Sequence, residues 1–185
     1  MAYETEMKAW IDDWDAVEAH LRGRLVFNRA FIKEDRYYIG AGGGSSAGAP
    51  IGPTFRLRKD GEHCVVTFKT KAIRNGMEFN QEREFAVDDG DEFAAFAAHI
   101  GFVNDARKVK RGLSFTDGDL HVELVEIVGL GFFLEVEFVH EDGDDDLHDQ
   151  AAARIRAVLE LAGVKASQIE SRPYNQLLRE RESGG

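Results

Sequence analysis

The sequence predicts an α+β protein: an antiparallel β-sheet with helices packed outside it. Three observations predict this. Runs with strict period-two alternation recur along the chain, short turn signals separate them, and a few segments place apolar residues at helical spacing. The chain has 185 residues, 43% hydrophobic and 31% charged, which is enough for one domain with a sizeable core and too apolar for wholesale disorder.

Tyr3 to Trp10 alternates as a strand, with Glu4, Glu6 and Lys8 on one face and Tyr3, Thr5, Met7 and Ala9 on the other. Asp12 or Asp13 then caps a helix through Leu21, striped by Trp14, Val17 and Leu21 and stopped by Gly23. Leu25 to Ile39 reads as one interrupted strand or two short ones. Residues 40–53 form a flexible loop, with six glycines between Gly40 and Gly52. No Gly-Lys-Ser/Thr follows them, so they do not make a phosphate-cradling loop.

Phe55–Lys59, His63–Ile73 and Met77–Val87 are alternating strands, joined by Asp60-Gly61 and Asn75-Gly76, both hairpin signals. A helix at about Glu92 to Ile100 carries Phe93, Phe96, Ala97 and Ile100 and ends at Gly101. Further strands fit Arg107–Phe115, Leu120–Val128 and Phe132–His140, turned by Asp117-Gly118 and Gly129-Leu130-Gly131. The acidic run Glu141–Asp146 suits the N-terminus of a helix from about Leu147 to Ala162. A last helix spans about Tyr174 to Glu182. One domain over 1–182, with a disordered tail at 183–185, is the expected organisation.

Lys and Arg number 23 against 34 Asp and Glu, a net charge of −11. That balance argues against a general nucleic-acid binder, which needs a basic surface. A single cysteine, Cys64, excludes an internal disulfide, and the Val65-Val66 beside it predicts ordinary burial. No apolar run approaches the ~20 residues of a membrane span, and Met1-Ala2-Tyr3-Glu4 lacks signal-peptide character, so a cytoplasmic setting is expected. The six histidines show no metal-ligand spacing; only His121, on the face of Glu123, is of interest.

The informative feature is which strand face carries charge. The period-two sets are Glu4, Glu6, Lys8; Arg56, Arg58; Thr67, Lys69, Lys71; Glu82, Glu84; Lys108, Lys110; and Glu135, Glu137. A solvated outer face would give the same alternation by default. Two details depart from that. Arg56, Arg58, Lys69 and Lys71 stand on adjacent hairpin strands with no acid expected on their face, although like charges opposite one another are unfavourable. Acid pairs recur at spacing two, which is unfavourable unless a cation sits between them. Sorted cations beside sorted carboxylates suit a polyanion held with a divalent metal: Arg offers planar forks to phosphate, and carboxylate oxygens suit Mg²⁺ or Mn²⁺. Closing the sheet would turn the charged face inward and leave the apolar face for the helices to cover.

Glu4-Thr5-Glu6-Met7-Lys8 resembles the Glu-x-Glu-x-Lys signature of the CYTH superfamily, the triphosphate tunnel metalloenzymes. Asp35-Arg36-Tyr37-Tyr38, Arg56-Leu57-Arg58, Thr67-Phe68-Lys69-Thr70-Lys71, Glu82-Arg83-Glu84, Lys108-Val109-Lys110-Arg111 and Gly129-Leu130-Gly131-Phe132-Phe133-Leu134-Glu135-Val136-Glu137 follow in family order. Ser171-Arg172-Pro173-Tyr174-Asn175-Gln176-Leu177-Leu178 is similar to the ending of the class IV adenylyl cyclase branch, altered at Pro173 and Gln176.

The resemblance implies a closed, eight-stranded antiparallel β-barrel, a tunnel with a charged lumen. It implies a metal-dependent enzyme acting on a triphosphate such as ATP, tripolyphosphate or thiamine triphosphate. A class IV adenylyl cyclase, making cyclic AMP and pyrophosphate, is the first reading. A tripolyphosphatase or thiamine triphosphatase is the alternative, and a non-catalytic triphosphate or polyphosphate sensor is the third. Carried over by position, Glu4, Glu6, Glu135 and Glu137 match the metal-holding, catalytic acids. Lys8, Arg56, Arg58, Lys69, Lys71, Lys108 and the Lys110/Arg111 pair match the triphosphate-binding bases, with Glu82 and Glu84 as further tunnel acids. Many relatives carry an acid where this chain has Val125; Glu123, two residues earlier on the same face, is the substitute metal ligand expected here. The cyclase branch also implies a homodimer, while charge balance and the lack of a long apolar run, as above, lead us to expect no nucleic-acid or membrane partner.

Overall fold

The architecture comes from a computed structural model, which describes the backbone of residues 3–40, 55–74, 77–140 and 145–183 and the side chains of 5–40, 55–68, 83–139 and 150–183. The loop expected beyond Gly40, the Asn75-Gly76 turn and the first part of the 141–146 acidic run lie outside the described residues.

In chain order the elements are β1 (Tyr3–Ile11), α1 (Trp14–Arg22), β2 (Val26–Gly40), β3 (Phe55–Asp60), β4 (His63–Arg74), β5 (Met77–Val87), α2 (Gly90–His99), β6 (Phe102–Asp117), β7 (Leu120–Ile127), β8 (Gly131–His140), α3 (Asp145–Leu161), β9 (Ile169–Glu170) and α4 (Tyr174–Ser183). A single 3₁₀ turn, Ala166–Gln168, precedes β9. The protein is α+β, and the strand pairs with described register are all antiparallel. Three expectations are corrected. The segment after α1 is one continuous strand, β2. The strand expected from Arg107 begins at Phe102. The last helix continues through Ser183, into the expected tail.

The chain divides into two compact units. The first comprises the described residues up to Phe31 and from Lys110 onward; the second is Ile32–Val109. In the first, β7 pairs with β6 and β8, and β8 pairs with β1, which also takes β9 on its other edge. The odd residues of β1 and the even residues of β7 and β8 form its apolar face. Ala9, Ile11, Leu120, Val122, Leu124, Leu134 and Val136 pack there against Val17 and Leu21 of α1 and Ala151, Ile155, Val158 and Leu159 of α3. Full burial of a Leu or Ile stabilises by about 1.5–3 kcal/mol, so this face fixes the register of every strand that carries charge on its other side. Asp13 caps α1 by accepting from the Ala16 amide at 3.0 Å, as its position before Trp14 predicts.

In the second unit, β3 pairs with β2 and β4, and β4 with β5. Tyr38, Leu57, Val66 and Ala97 form its core, with Phe55, Phe93 and Phe102 packed around them. Helix α2 covers this face, capped by Asp89, which accepts from Asp91 and Glu92. Cys64 is half-buried rather than fully buried. Asp60 pairs with His63, so the turn lies at Gly61-Glu62, one residue on from the expected Asp60-Gly61, with Gly61 at φ 62°, the left-handed conformation that glycine allows.

Gly112 on β6 has a steric role. A Cβ there would lie 2.1 Å from the Leu124 carbonyl oxygen and 2.9 Å from the Val125 Cα. Only glycine permits this approach of β6 to β7, where Gly112 faces Val125.

Candidate active site

In the first unit the face opposite the apolar core carries the acids. Strand alternation puts Glu6 and Lys8 on β1, Glu123 on β7 and Glu135 and Glu137 on β8 on one side, and register makes them neighbours. Glu6 is opposite Glu137, Lys8 opposite Glu135, and Glu123 opposite Glu135. Lys110 enters from β6, and its ammonium bridges two carboxylates, Glu123 at 2.5 Å and Glu135 in closer contact. Glu123 and Lys110 are each about 6% exposed, so this charge cluster is largely removed from water. Glu137 is half-buried and Glu6 exposed. The side chain of Glu4 lies outside the described residues; its backbone pairs with Val139.

Tyr174, the first residue of α4, rests on this cluster. Lys8 Nζ lies 5.2 Å from its ring centroid. Burial, and then the negative charges of Glu135, Glu6 and Glu123, push its phenol pKa far upward, so it stays neutral among anions. Val125, Ile127, Phe133 and Leu177 pack together on the same side, with Trp10 and Tyr174 against them. Val125 therefore sits in an apolar plug, fully buried. The Ser171–Leu178 segment matters because it seats this helix. Glu170, across from Lys8, accepts from the Trp10 indole at 3.1 Å and from Arg172 through its Nη2 at 2.6 Å, and the Arg172 amide and Nε each donate to it at 2.9 Å. Chiefly through those Arg172 bonds, against the opposing effect of burial, the Glu170 pKa falls to about 2.

Further along the face, Ser114 Oγ lies 3.0 Å from His121 Nε2, and Asn28 donates to the same hydroxyl at 3.4 Å. His121 is opposite Glu137 on the ladder, so this histidine does border the acid set.

In the second unit the cations gather around an acid. Asp35 on β2, facing Arg58 in register, accepts from Arg58 Nε at 2.7 Å and Nη2 at 2.9 Å. Lys108 Nζ stands 3.1 Å from Asp35 Oδ2, the oxygen that accepts from Arg58 Nη2, and the Tyr37 hydroxyl donates to that same oxygen at 3.3 Å. Burial alone would raise the Asp35 carboxyl, yet Lys108 and Arg58 hold it well below the usual carboxylate range. Arg56 donates to Thr67 at 3.0 Å and lies 3.6 Å from Glu84, which accepts from the same threonine at 2.6 Å; its buried Nε has no partner.

These positions correct the expectation of an acid-free cationic face: Asp35 and Glu84 share it with Arg56 and Arg58, which offsets the cross-strand repulsion. Asp35 was visible in Asp35-Arg36-Tyr37-Tyr38, and its period-two offset from Tyr37 was the signal that could have identified it. Arg111 is also corrected. Alternation turns it away from Lys110, and it forms a two-point ion pair with Glu126 at 2.7 and 3.0 Å on the exposed side. Tyr37 and Tyr38 divide likewise: Tyr38 is core, stacked on Phe55 at 4.8 Å, while Tyr37 contacts Asp35. The side chains of Lys69, Lys71 and Glu82 lie outside the described residues; Lys69 pairs with Glu82 in backbone register.

The donors fit a hard divalent cation by chemistry. Glu6 and Glu137 are carboxylates on facing positions, whereas Glu123 and Glu135 already hold the Lys110 ammonium. Among the described residues no three of His, Cys, Asp or Glu are gathered as a ready metal cluster. No helix among them is long and apolar enough to cross a membrane.

No protein-family profile matches the chain. A Methanocaldococcus jannaschii protein named as a candidate adenylate cyclase is 25% identical over 180 residues, 94% of this chain and 97% of its own length. A Pyrococcus horikoshii protein of solved structure superposes with a TM-score of 0.77 at 22% identity, over 95% of this chain and 99% of that one. A Hippeastrum protein, described as a candidate adenylyl cyclase that reveals a dominant triphosphatase activity, superposes with a TM-score of 0.69 at 13% identity, covering 97% and 96%.

Proposed function

We propose that this chain, whose CYTH-type fold is shared with proteins named as adenylate cyclases, is a divalent-metal-dependent enzyme that acts on triphosphates. The observation that carries this reading is the gathering of charged side chains on one strand face within each unit. Glu6, Glu123, Glu135 and Glu137 cluster on one set of neighbouring strands, and Arg56, Arg58 and Lys108 on another. The closed eight-stranded tunnel with a charged lumen is part of the reading and rests on the resemblance to the family. So does the homodimer.

A linear triphosphate carries about four negative charges, and Arg forks with Lys ammonium groups suit its oxygens. Arg56, Arg58, Lys108, Lys69, Lys71 and Lys8 would bind the chain of phosphates. Glu6 and Glu137, with Glu4, would hold Mg²⁺ or Mn²⁺, with Glu135 and Glu123 beside them. A cation held there would supply neutralisation of phosphate charge and Lewis-acid polarisation of the phosphoryl oxygens. Carboxylate oxygens of the Glu4/Glu6 and Glu135/Glu137 set would accept the proton of the attacking hydroxyl or water.

The first reading is class IV adenylyl cyclase chemistry: the ribose 3′-hydroxyl attacks the α-phosphorus and pyrophosphate leaves. The similar C-terminal segment and the named M. jannaschii relative support it. Triphosphatase chemistry, with water attacking a terminal phosphorus, is favoured by a different observation: Val125, where many relatives carry an acid, is buried among Ile127, Phe133 and Leu177. Incubation with ATP, tripolyphosphate and thiamine triphosphate, with Mg²⁺ or Mn²⁺, separates the two. Cyclic AMP with pyrophosphate supports the cyclase, and orthophosphate supports the triphosphatase. No turnover of any of the three would remove the enzymatic reading.

A further inference from the structure

We propose that Asp35 is a positioning residue: its buried carboxylate holds the Arg58 guanidinium and the Lys108 ammonium in the geometry that receives a triphosphate. This deepens, and rests on, the reading of the chain as a triphosphate enzyme. The Asp35 side chain is wholly inaccessible, and both its oxygens are engaged. Arg58 presents two donors of its planar fork to Asp35, which fixes the plane of the guanidinium. Lys108 has a flexible four-carbon stem, yet its Nζ is held between the Asp35 carboxylate and the Tyr37 ring, 5.6 Å from the centroid.

The charge count gives the arrangement its purpose. Asp35 and Glu84 stand against Arg58, Lys108 and Arg56, so this group of described residues keeps one net positive charge and stays attractive to a polyanion. Two cations that close would repel each other if Asp35 were neutral, and their side chains would swing apart. A site needing only stability would be served as well by apolar residues of similar volume. Buried charges retained around one carboxylate instead pre-order the groups that bind phosphate, which lowers the conformational entropy lost on binding.

The test is calorimetric binding of inorganic tripolyphosphate with Mg²⁺, together with steady-state kinetics, on wild type, Asp35→Asn and Asp35→Glu. The Asn variant keeps shape and loses charge; the Glu variant keeps charge and moves it by one methylene. The decisive variant is whichever retains the wild-type circular dichroism and unfolding transition. A rise of at least tenfold in Kd and KM with kcat within threefold is expected for Asp35→Asn, and a smaller rise in the same direction for Asp35→Glu. Kd and KM within twofold of wild type in a folded variant overturn the positioning role while leaving the enzymatic reading intact. A wild-type protein that neither binds nor turns over tripolyphosphate or ATP overturns both.

Discussion

Glu6 and Glu137 are direct partners across the β1–β8 ladder, with both side chains on the charged face. Like charges at such positions destabilise a strand pair by several tenths of a kcal/mol, and a cation between them reverses the sign. Turnover should therefore vanish on treatment with EDTA and return with Mg²⁺ or Mn²⁺. Glu137→Gln should raise the metal concentration for half-maximal activity at least tenfold. Undiminished turnover after exhaustive chelation would refute the assignment.

Lys110 gives a stability prediction. Its ammonium is the counter-charge to two carboxylates, Glu123 and Glu135, in a nearly dry environment. Lys110→Met should destabilise the fold by about 3–5 kcal/mol, because it leaves buried carboxylates without their cation. Urea unfolding followed by circular dichroism measures this, and a midpoint unchanged from wild type would show that the bridge contributes nothing.

Two arginines should behave oppositely. Arg58, engaged with buried Asp35, should raise the KM for a triphosphate at least tenfold when changed to Ala. Arg111→Ala should leave KM within twofold, because Arg111 faces away from Lys110 and pairs with Glu126 on the exposed side. Equal effects in the two variants would mean that the face assignment is wrong.

Glu170 predicts an acid-side loss of stability. Its pKa falls from 4.5 in the unfolded chain to about 2 in the folded one, so the folded state favours the carboxylate. The stability it contributes is complete above pH 4.5 and declines as pH falls toward 2. Glu170→Gln should flatten the pH dependence of the unfolding temperature in that window. The same slope in both proteins would exclude Glu170 as its source.

Much of this architecture was legible because period-two alternation is a strong local signal. The faces of β1, β7 and β8 followed from Glu4-Thr5-Glu6, Glu123 and Glu135-Val136-Glu137, and the helix cap from Asp13. Pairings distant in sequence were less accessible. Asp35 and Arg58 are 23 residues apart, and only the register of β2 with β3 brings them together. Tyr174 reaches Glu135 because Glu170, Arg172 and Trp10 seat α4, a constraint that no local pattern encodes. Arg111 stands apart from Lys110 because the residue beside a site lysine on a strand points to the opposite face. β9, two residues long, is too short to leave a periodic trace.

The contact of β6 with β7 at Gly112 has a bearing on engineering. Lys110 lies two positions earlier on the same strand, and its reach to both carboxylates depends on how closely the two strands run. Even alanine at 112 would drive a methyl into the Leu124 carbonyl, so a library meant to retune substrate choice should hold that position invariant and vary the surrounding side chains instead.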